Sequence, residues 1–504
     1  MTGAAIAAWR QRLGDPRVVT DPARCARAAR GTYEGSPVPI ALLFPEDAEQ
    51  ARACVVIANT HSTPMHPVSR GCDWGLGGGA PWREGAAVLD LRGLDRITRF
   101  DDVLGVVTVE PGVTFEALAA FLRAEGGRWM LNVTGAPPRA SVLANALRRG
   151  DGAGPYADRW QHLGALDVVT GDGRRLRTGF ARFGDGPLAS SHRAGVGPWL
   201  DGLFHQSDLG VVLAGVVHLA PRPAALRLVR ASVPDPAGLP HLVDALRTLR
   251  LEGTLRGSAA LWNDYRAVSA GARYPWAFTR GHTPLDRETL RAWWGRPLPP
   301  WSAASGLFAP TEAVADALEA RVREVLGGVC ALEVDDARED PSPAGLFLRG
   351  EPHEESLRSV YWRARAPCPP RDLDPERDGC GVYWACAALP FTGEHALRAF
   401  TLAEEVTLAR GFEPMLAAVS PTERALHLVA LVLFERREPG AEARAKRCHD
   451  ALLEALSARG YLPFRLGSAS RDALPPSRDD ADAVLASLRA ALDPRGVLSV
   501  QPWT

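Results

Sequence analysis

Five glycines fall within nine residues, Gly71 to Gly79, in the segment PVSRGCDWGLGGGAP that runs from Pro67 to Pro81. Glycines let backbone N–H groups converge on an anion, most often a phosphate, and they accept left-handed φ values at no steric cost. Gly75, Gly77 and Ala80 also satisfy G-x-G-x-x-[GA], the spacing of a dinucleotide loop. That loop needs a helix directly after it, to lay a positive dipole end on the pyrophosphate. The residues that follow are PWREGAAVLDL, where Pro81 and Gly85 lead into an apolar run, so a turn and a strand are predicted instead. The Rossmann reading fails on context. Cys380 and Cys386 lie near each other without a second ligand pair, so no metal site is predicted.

The bulk numbers narrow the classes. A chain of 504 residues is too long for one core, and two domains are the natural expectation. A formal net charge of −1 argues against nucleic acid as a partner. No apolar run approaches the roughly 18 residues of a membrane span, and the N-terminal MTGAAIAAWRQRLGDPR reads as an amphipathic helix rather than a leader. Eight scattered cysteines suit a reducing cytoplasm.

The elements that must carry the glycine loop are strands and hairpins. ALLFPEDAEQARACVVIANTH predicts a short strand and then a helix, ITRFDDVLGVVTVEPG a hairpin, and TFEALAAFLRAEGG a helix capped by Thr114 and ended by glycines. ALDVVTGDGRRLRTG predicts a second hairpin turning at Gly171-Asp172-Gly173. Past residue 225, LRLVRASVPD and RALHLVALVLFERRE read as strands. GLPHLVDALRTLRLEG, TEAVADALEARVREVLGG and EARAKRCHDALLEALSARGY read as helices. An antiparallel sheet with helices on one face is expected there, giving an α+β class overall.

Six stretches, in order over residues 37–225, together resemble the flavoprotein family of vanillyl-alcohol oxidase and 4-cresol methylhydroxylase. They are PVSRGCDWGLGGGAP, VLDLRGLDRI, VVTVEPGVTFEALAAFL, SVLANALRRGDGAGPYADRW, LDVVTGDGRRLRTG and GPWLDGLFHQSDLGVVLAG. Weaker echoes follow in GEH (393–395), GYLPFRLG (460–467) and ALDPRGVLS (491–499). The resemblance implies an FAD-binding domain in residues 1–225, an antiparallel-sheet cap domain in 226–459, and a return to the FAD domain in 460–504. It also implies that the glycine loop is an anion nest for FAD, built from Ser69, Arg70, Gly71, Cys72, Asp73, Trp74 and Gly75. Pro111, Gly112 and Val113 would run beside the cofactor, Ser141, Asn145 and Gly150 would form the next cradle, and Val212 would lie near the nucleotide end.

The same resemblance marks departures at the chemical end. The family oxidises para-alkylphenols: a phenolate is clamped by two tyrosines and an arginine while hydride leaves the benzylic carbon. One tyrosine position falls on Leu76, the other on Phe464, and the arginine survives as Arg465. A flavin-side aspartate falls on Ala136, and an aromatic pocket residue on Ala153. Asp151 replaces a valine and introduces a carboxylate that can act as a general base, while Arg465 suits a phenolate or a carboxylate. The positions that tether the flavin covalently fall on Gly381 or Val382, neither of which can form the bond, so dissociable FAD is expected. Tyr383 and His427 are expected to line the substrate pocket. The expected activity is FAD-dependent removal of hydride from an activated C–H of a 4-hydroxyphenyl-type or acylated substrate, with oxidative decarboxylation through a quinone methide as a variant suited to secondary metabolism. The alternatives are an alcohol or amine oxidase and a catalytically silent flavin-binding subunit. Molecular oxygen or another acceptor would take the electrons, and a cytoplasmic homodimer is the expected assembly.

Overall fold

The computed structural model describes residues 2–279 and 284–498; Ser499, the end of the last echo above, lies outside them. The chain opens with a small four-stranded sheet ordered Val18–Val19, Leu42–Leu43, Ala87–Asp90, Met65–Val68. Beside it lies an antiparallel sheet of five strands, ordered Ile97–Asp101, Val106–Val109, Gly210–His218, Leu163–Thr170, Arg175–Arg177. The predicted hairpins are two of its pairings. Gly173, at φ +85°, supplies the left-handed residue that the second turn requires. Thr114 caps the helix Phe115–Ala124 by accepting the Ala117 N–H at 3.0 Å.

A seven-stranded antiparallel sheet follows, ordered Ala331–Asp336, Ala225–Val233, Trp301–Ala309, Ala260–Asn263, Met415–Val419, Ala425–Glu435, Cys380–Pro390. Its strands alternate, and the two faces have different fates. Leu261, Ala303, Tyr383, Ala385, Ala418, Leu428 and Ala430 face a helix layer made of Leu239–Leu251, Glu312–Leu326, Gly393–Leu408 and Ala441–Ser457. The other face is covered at one edge by Leu226, Leu228, Phe308 and Leu348, and at the opposite edge by Tyr265, Tyr361, Trp362 and Leu431 with Trp74. Between those clusters the register aligns Ala304, Ala260, Val419, His427 and Ala388 in one row, and Ser302, Trp262, Ala417, Val429 and Cys386 in the next. The middle of this face is floored mostly by small side chains.

The last residues pack back onto the first sheets. Ser468 N–H donates to the Leu76 carbonyl at 3.0 Å, and Met65 N–H donates to Val497 at 2.8 Å. No helix among the described residues is long and apolar enough to cross a membrane.

The aromatic edge of the large sheet holds a buried ion pair. Arg363 Nη2 lies 2.6 Å from Glu413 Oε1, with both side chains under 7% exposed. Glu413 also accepts the Leu285 N–H at 2.8 Å, and Arg363 stacks over the Tyr274 ring at 3.8 Å. Glu413→Ala leaves an uncompensated buried cation, so a loss of about 3–5 kcal/mol is expected; the midpoint of urea unfolding measures it.

Candidate functional site

A cleft with about 1310 Å³ of non-atom space, its open mouth included, separates the glycine loop from the five-stranded sheet and from the returning C-terminal segment. Ser69, Arg70, Gly71, Cys72 and Asp73 line it from the loop, Pro111 from the end of the hairpin, and Ser141 and Asn145 from the short helix Val142–Leu147. Val212 and Arg465 complete the wall. The structure therefore brings ten of the expected residues around one cavity.

Other expected residues serve the cleft from behind. Gly75 presses on Trp384, whose ring leaves only 2.2 Å for a Cβ, and its N–H donates to Thr32 Oγ1 at 2.9 Å. Trp74 is buried in the aromatic edge cluster, with Arg139 5.2 Å above its ring. Gly112 meets the carbonyls of Arg92 and Leu94 too closely for any side chain, and its own carbonyl accepts from Arg70 Nε at 2.9 Å. Val113 sits in the core, and Gly150 lies over the Asn145 amide, where a Cβ would come within 1.9 Å of Oδ1. These glycines permit close packing of protein on protein.

Asp73 is the electrostatic centre of the loop. Its Oδ1 accepts from Arg465 Nη2, and its Oδ2 lies 3.1 Å from Arg148 Nη2. Burial pushes this carboxyl up, but the Arg465 and Arg148 guanidiniums outweigh that and hold it below the usual carboxylate range. Arg148 also donates to the Leu466 carbonyl at 2.9 Å, so one carboxylate ties the loop, the short helix and the C-terminal segment together.

Phe464, the residue before Arg465, reaches the large sheet. His427 Nδ1 stands 2.8 Å from Asp151 Oδ2, and the His427 ring stacks on Phe464 with centroids 3.7 Å apart and planes at 4°. Both polar side chains are largely buried, at 10% and 15% exposure. Asp151 acts on its surroundings: burial and then the Asp151 charge raise the Asp158 carboxyl. Cys386, on the same sheet face, is pushed up to about 12 by burial.

The remaining pocket residues divide. The Ala153 carbonyl lies against Gly257 at the edge of the small-residue floor, and Ala136 is half-buried beside the Thr134 hydroxyl. Leu76 is buried under Gly467 and Ser468. Tyr383 corrects the sequence reading. It faces the helix layer, stacked on Tyr33 at 4.5 Å and near Phe434 at 5.7 Å, because odd-numbered residues of its strand point away from the cleft. Trp384 and Cys386 occupy the cleft side instead, and that parity shows only once the strand has a register. Arg148 and His66 were also missed; nothing in their spacing signals a cleft.

Two buried polar atoms on the cleft wall, His66 Nδ1 and Arg465 Nε, have no partner among the described residues. Burial holds His66 down to about 4, so its imidazole stays neutral near pH 7. Orphaned donors on a long, glycine-edged cleft fit a large polar cofactor.

Comparison with known proteins gives that cofactor a name. A family model described as FAD binding domain matches residues 39–179. The 1'-carboxy-chondrochloren decarboxylase of Chondromyces crocatus is 38% identical over 98% of this chain and 96% of its own length. The 4-cresol dehydrogenase [hydroxylating] flavoprotein subunit of Pseudomonas putida is 25% identical over 98% and 94%. Among solved structures, p-cresol methylhydroxylase with substrate bound superposes with a TM-score of 0.90 at 22% identity, covering 99% of this chain and 95% of that one. The 4-ethylphenol oxidase of Gulosibacter chungangensis in its isoeugenol complex reaches 0.88 at 20% identity, covering 98% and 95%. These superpositions establish the fold.

Asp73→Asn keeps the shape and removes the charge between two arginines, at an expected cost of about 2–4 kcal/mol at pH 7. The folded carboxyl is held low, so the wild-type advantage is complete above the ordinary aspartate value of about 4 and is lost as pH falls through the lower folded value. Urea midpoints of both proteins at pH 7, 4.5 and 3 measure the convergence.

Proposed function

The chain belongs to the vanillyl-alcohol oxidase and 4-cresol methylhydroxylase family of FAD-dependent oxidoreductases, and from that premise we propose that it oxidises the benzylic position of a 4-hydroxyphenyl acid and releases its carboxylate as carbon dioxide. The observation that carries this reading is the 2.8 Å contact between His427 and Asp151, on a small-residue sheet face and stacked under Phe464, the neighbour of Arg465 in the chain. A carboxylate holding one imidazole nitrogen leaves the other free to take a proton. The likeness to a decarboxylase at 38% identity supports the second half of the reaction.

FAD supplies the two-electron acceptor for the hydride when bound. Ser69 to Asp73, Pro111, Ser141, Asn145 and Val212 would hold it, with His66 and Arg465 offering their unpartnered nitrogens. The protein's own work is to make and manage a phenolate. His427 takes the phenol proton through Nε2, Asp151 orients the ring and balances the imidazolium, and Phe464 fixes the ring plane from below. Arg465, pinned to Asp73, places a cation near the oxyanion. This pair replaces the two tyrosines of the resembled family. Small side chains at Ala136 and Ala153, with the row Ala260, Ala304 and Ala388, suit a substrate that carries a bulky acyl group.

We read the FAD as dissociable. Gly381 and Val382 offer no nucleophile, Tyr383 faces the helix layer, and burial pushes the Cys72 thiol up to about 11 and the Cys380 thiol higher still. The finer expectations of a homodimer, a cytoplasmic setting and oxygen or another electron acceptor belong to this same reading.

The test uses N-acetyltyrosine, its O-methyl ether and 4-ethylphenol, mixed anaerobically with the FAD-loaded protein. N-acetyltyrosine should bleach the flavin band and release one carbon dioxide per flavin, while the ether does neither. Bleaching by the ether as fast as by the phenol contradicts phenolate chemistry, and no bleaching by any phenol supports the silent subunit instead. Acid precipitation of the same sample should leave the yellow colour in the supernatant.

A further inference from the structure

Several interior arginines reach carboxylates: Arg363 meets Glu413, Arg287 meets Asp264 and Glu404, and Arg148 and Arg465 share Asp73. Arg159 instead donates to the Asn145 amide oxygen and the Val142 carbonyl, and Arg266 also lacks a carboxylate. The Arg266 guanidinium donates to the hydroxyl of Ser359, a fully buried residue, and no carboxylate among the described residues lies within ion-pair distance of it. Burial lowers its guanidinium to about 10. A half-buried cation without a counter-ion is costly and calls for an anion.

Its position says which anion. Arg266 stands in the first turn of the helix Asp264–Gly271, which starts where the strand Ala260–Asn263 ends, and its N–H is capped by Asn263 Oδ1 at 3.0 Å. Ala260 and Trp262 of that strand belong to the floor that also carries His427. Ser359 lies in the turn Glu355–Tyr361, whose Ser356 packs against Gly135, next to Ala136. Arg266 thus borders the floor at the end away from His427. His427 lies in Ala260's own row two strand spacings away, and Arg266 lies six residues beyond Ala260, three along the strand and three into the helix, so their Cα atoms are on the order of 15 Å apart. Two side chains and one 4-hydroxyphenyl acid fill such a span.

We propose that Arg266, its guanidinium held by the Ser359 hydroxyl, binds the carboxylate of the substrate while His427 holds its phenol end. This rests on the function proposed above and names the substrate class as a 3-(4-hydroxyphenyl)propanoate. The charges then balance along the pocket. Loss of the phenol proton to His427 and of a hydride from the benzylic carbon to the bound FAD would leave a neutral quinone methide with its carboxylate on Arg266. The C–COO⁻ bond breaks, its electron pair becomes the new C=C bond, and the ring oxygen regains the negative charge. Carbon dioxide leaves, and the imidazolium of His427 returns the proton to the phenolate. Negative charge moves from the Arg266 end to the end where His427 and Arg465 stand.

Calorimetric titration with N-acetyl-O-methyltyrosine, a carboxylate whose blocked phenol cannot react, and with its carboxamide tests the clamp. The wild-type FAD-loaded protein should bind the acid about 30-fold or more tightly than the amide. Arg266→Gln should erase that preference, and Arg266→Lys should keep part of it. Equal affinity for acid and amide in the wild type overturns the proposal, as does a preference that survives in Arg266→Gln. Should the glutamine variant not fold, the wild-type comparison and Arg266→Lys decide the matter. Because the titrant never reacts, this result is separate from whether free phenols bleach the flavin.

Discussion

One hydrogen bond, from the imidazole of His427 to the carboxylate of Asp151, joins parts of the chain 276 residues apart. It crosses from the large sheet to the loop that follows the short helix Val142–Leu147. Neither partner could stay so buried alone: an unpaired carboxylate or a charged imidazole would pay the desolvation cost without return. The pair also needs Phe464, which stacks flat on His427 and arrives from the returning C-terminal segment. Three distant segments therefore converge before a proton can be handled at this spot.

Asp73 fixes the neighbouring geometry by the same means. Arg465 follows directly on Phe464, so anchoring Arg465 to the glycine loop sets where the stacked phenyl ring lies. Arg148, on the other oxygen, secures the end of the short helix just ahead of Asp151. Cofactor cleft and proton-handling pair are thus positioned by one buried carboxylate between two arginines. The seven-stranded sheet contributes the floor. Its helix-facing side is filled by Tyr383, Phe434 and Leu428, whereas its cleft side carries alanines where a large substrate must fit.

Much of this was legible in the chain. The hairpins followed from Gly171-Asp172-Gly173 and from alternating apolar residues, the Thr114 cap from its position ahead of an apolar helix, and the cleft loop from its glycines. Several of the glycines also have a packing reason, beside the cofactor-holding role that the resemblance implies. Gly75, Gly112 and Gly150 are glycine because Trp384, Arg92 and Asn145 press on them, and a sequence does not show which neighbour arrives. Tyr383 was misassigned by strand parity, since a shift of one residue moves a side chain to the opposite face. The His427–Asp151 and Arg465–Asp73 contacts are long-range products of folding, so each residue was visible while its partner was not.

The most direct test of the account is a double-mutant cycle on Asp151 and His427, read as the rate of anaerobic flavin bleaching by N-acetyltyrosine. If the two act as one unit, Asp151→Asn and His427→Asn should each slow bleaching by about 100-fold or more, and the double variant should be no slower than the worse single. FAD should remain bound in all three. Slowing that multiplies in the double variant, or bleaching at the wild-type rate in either single, would contradict the paired role.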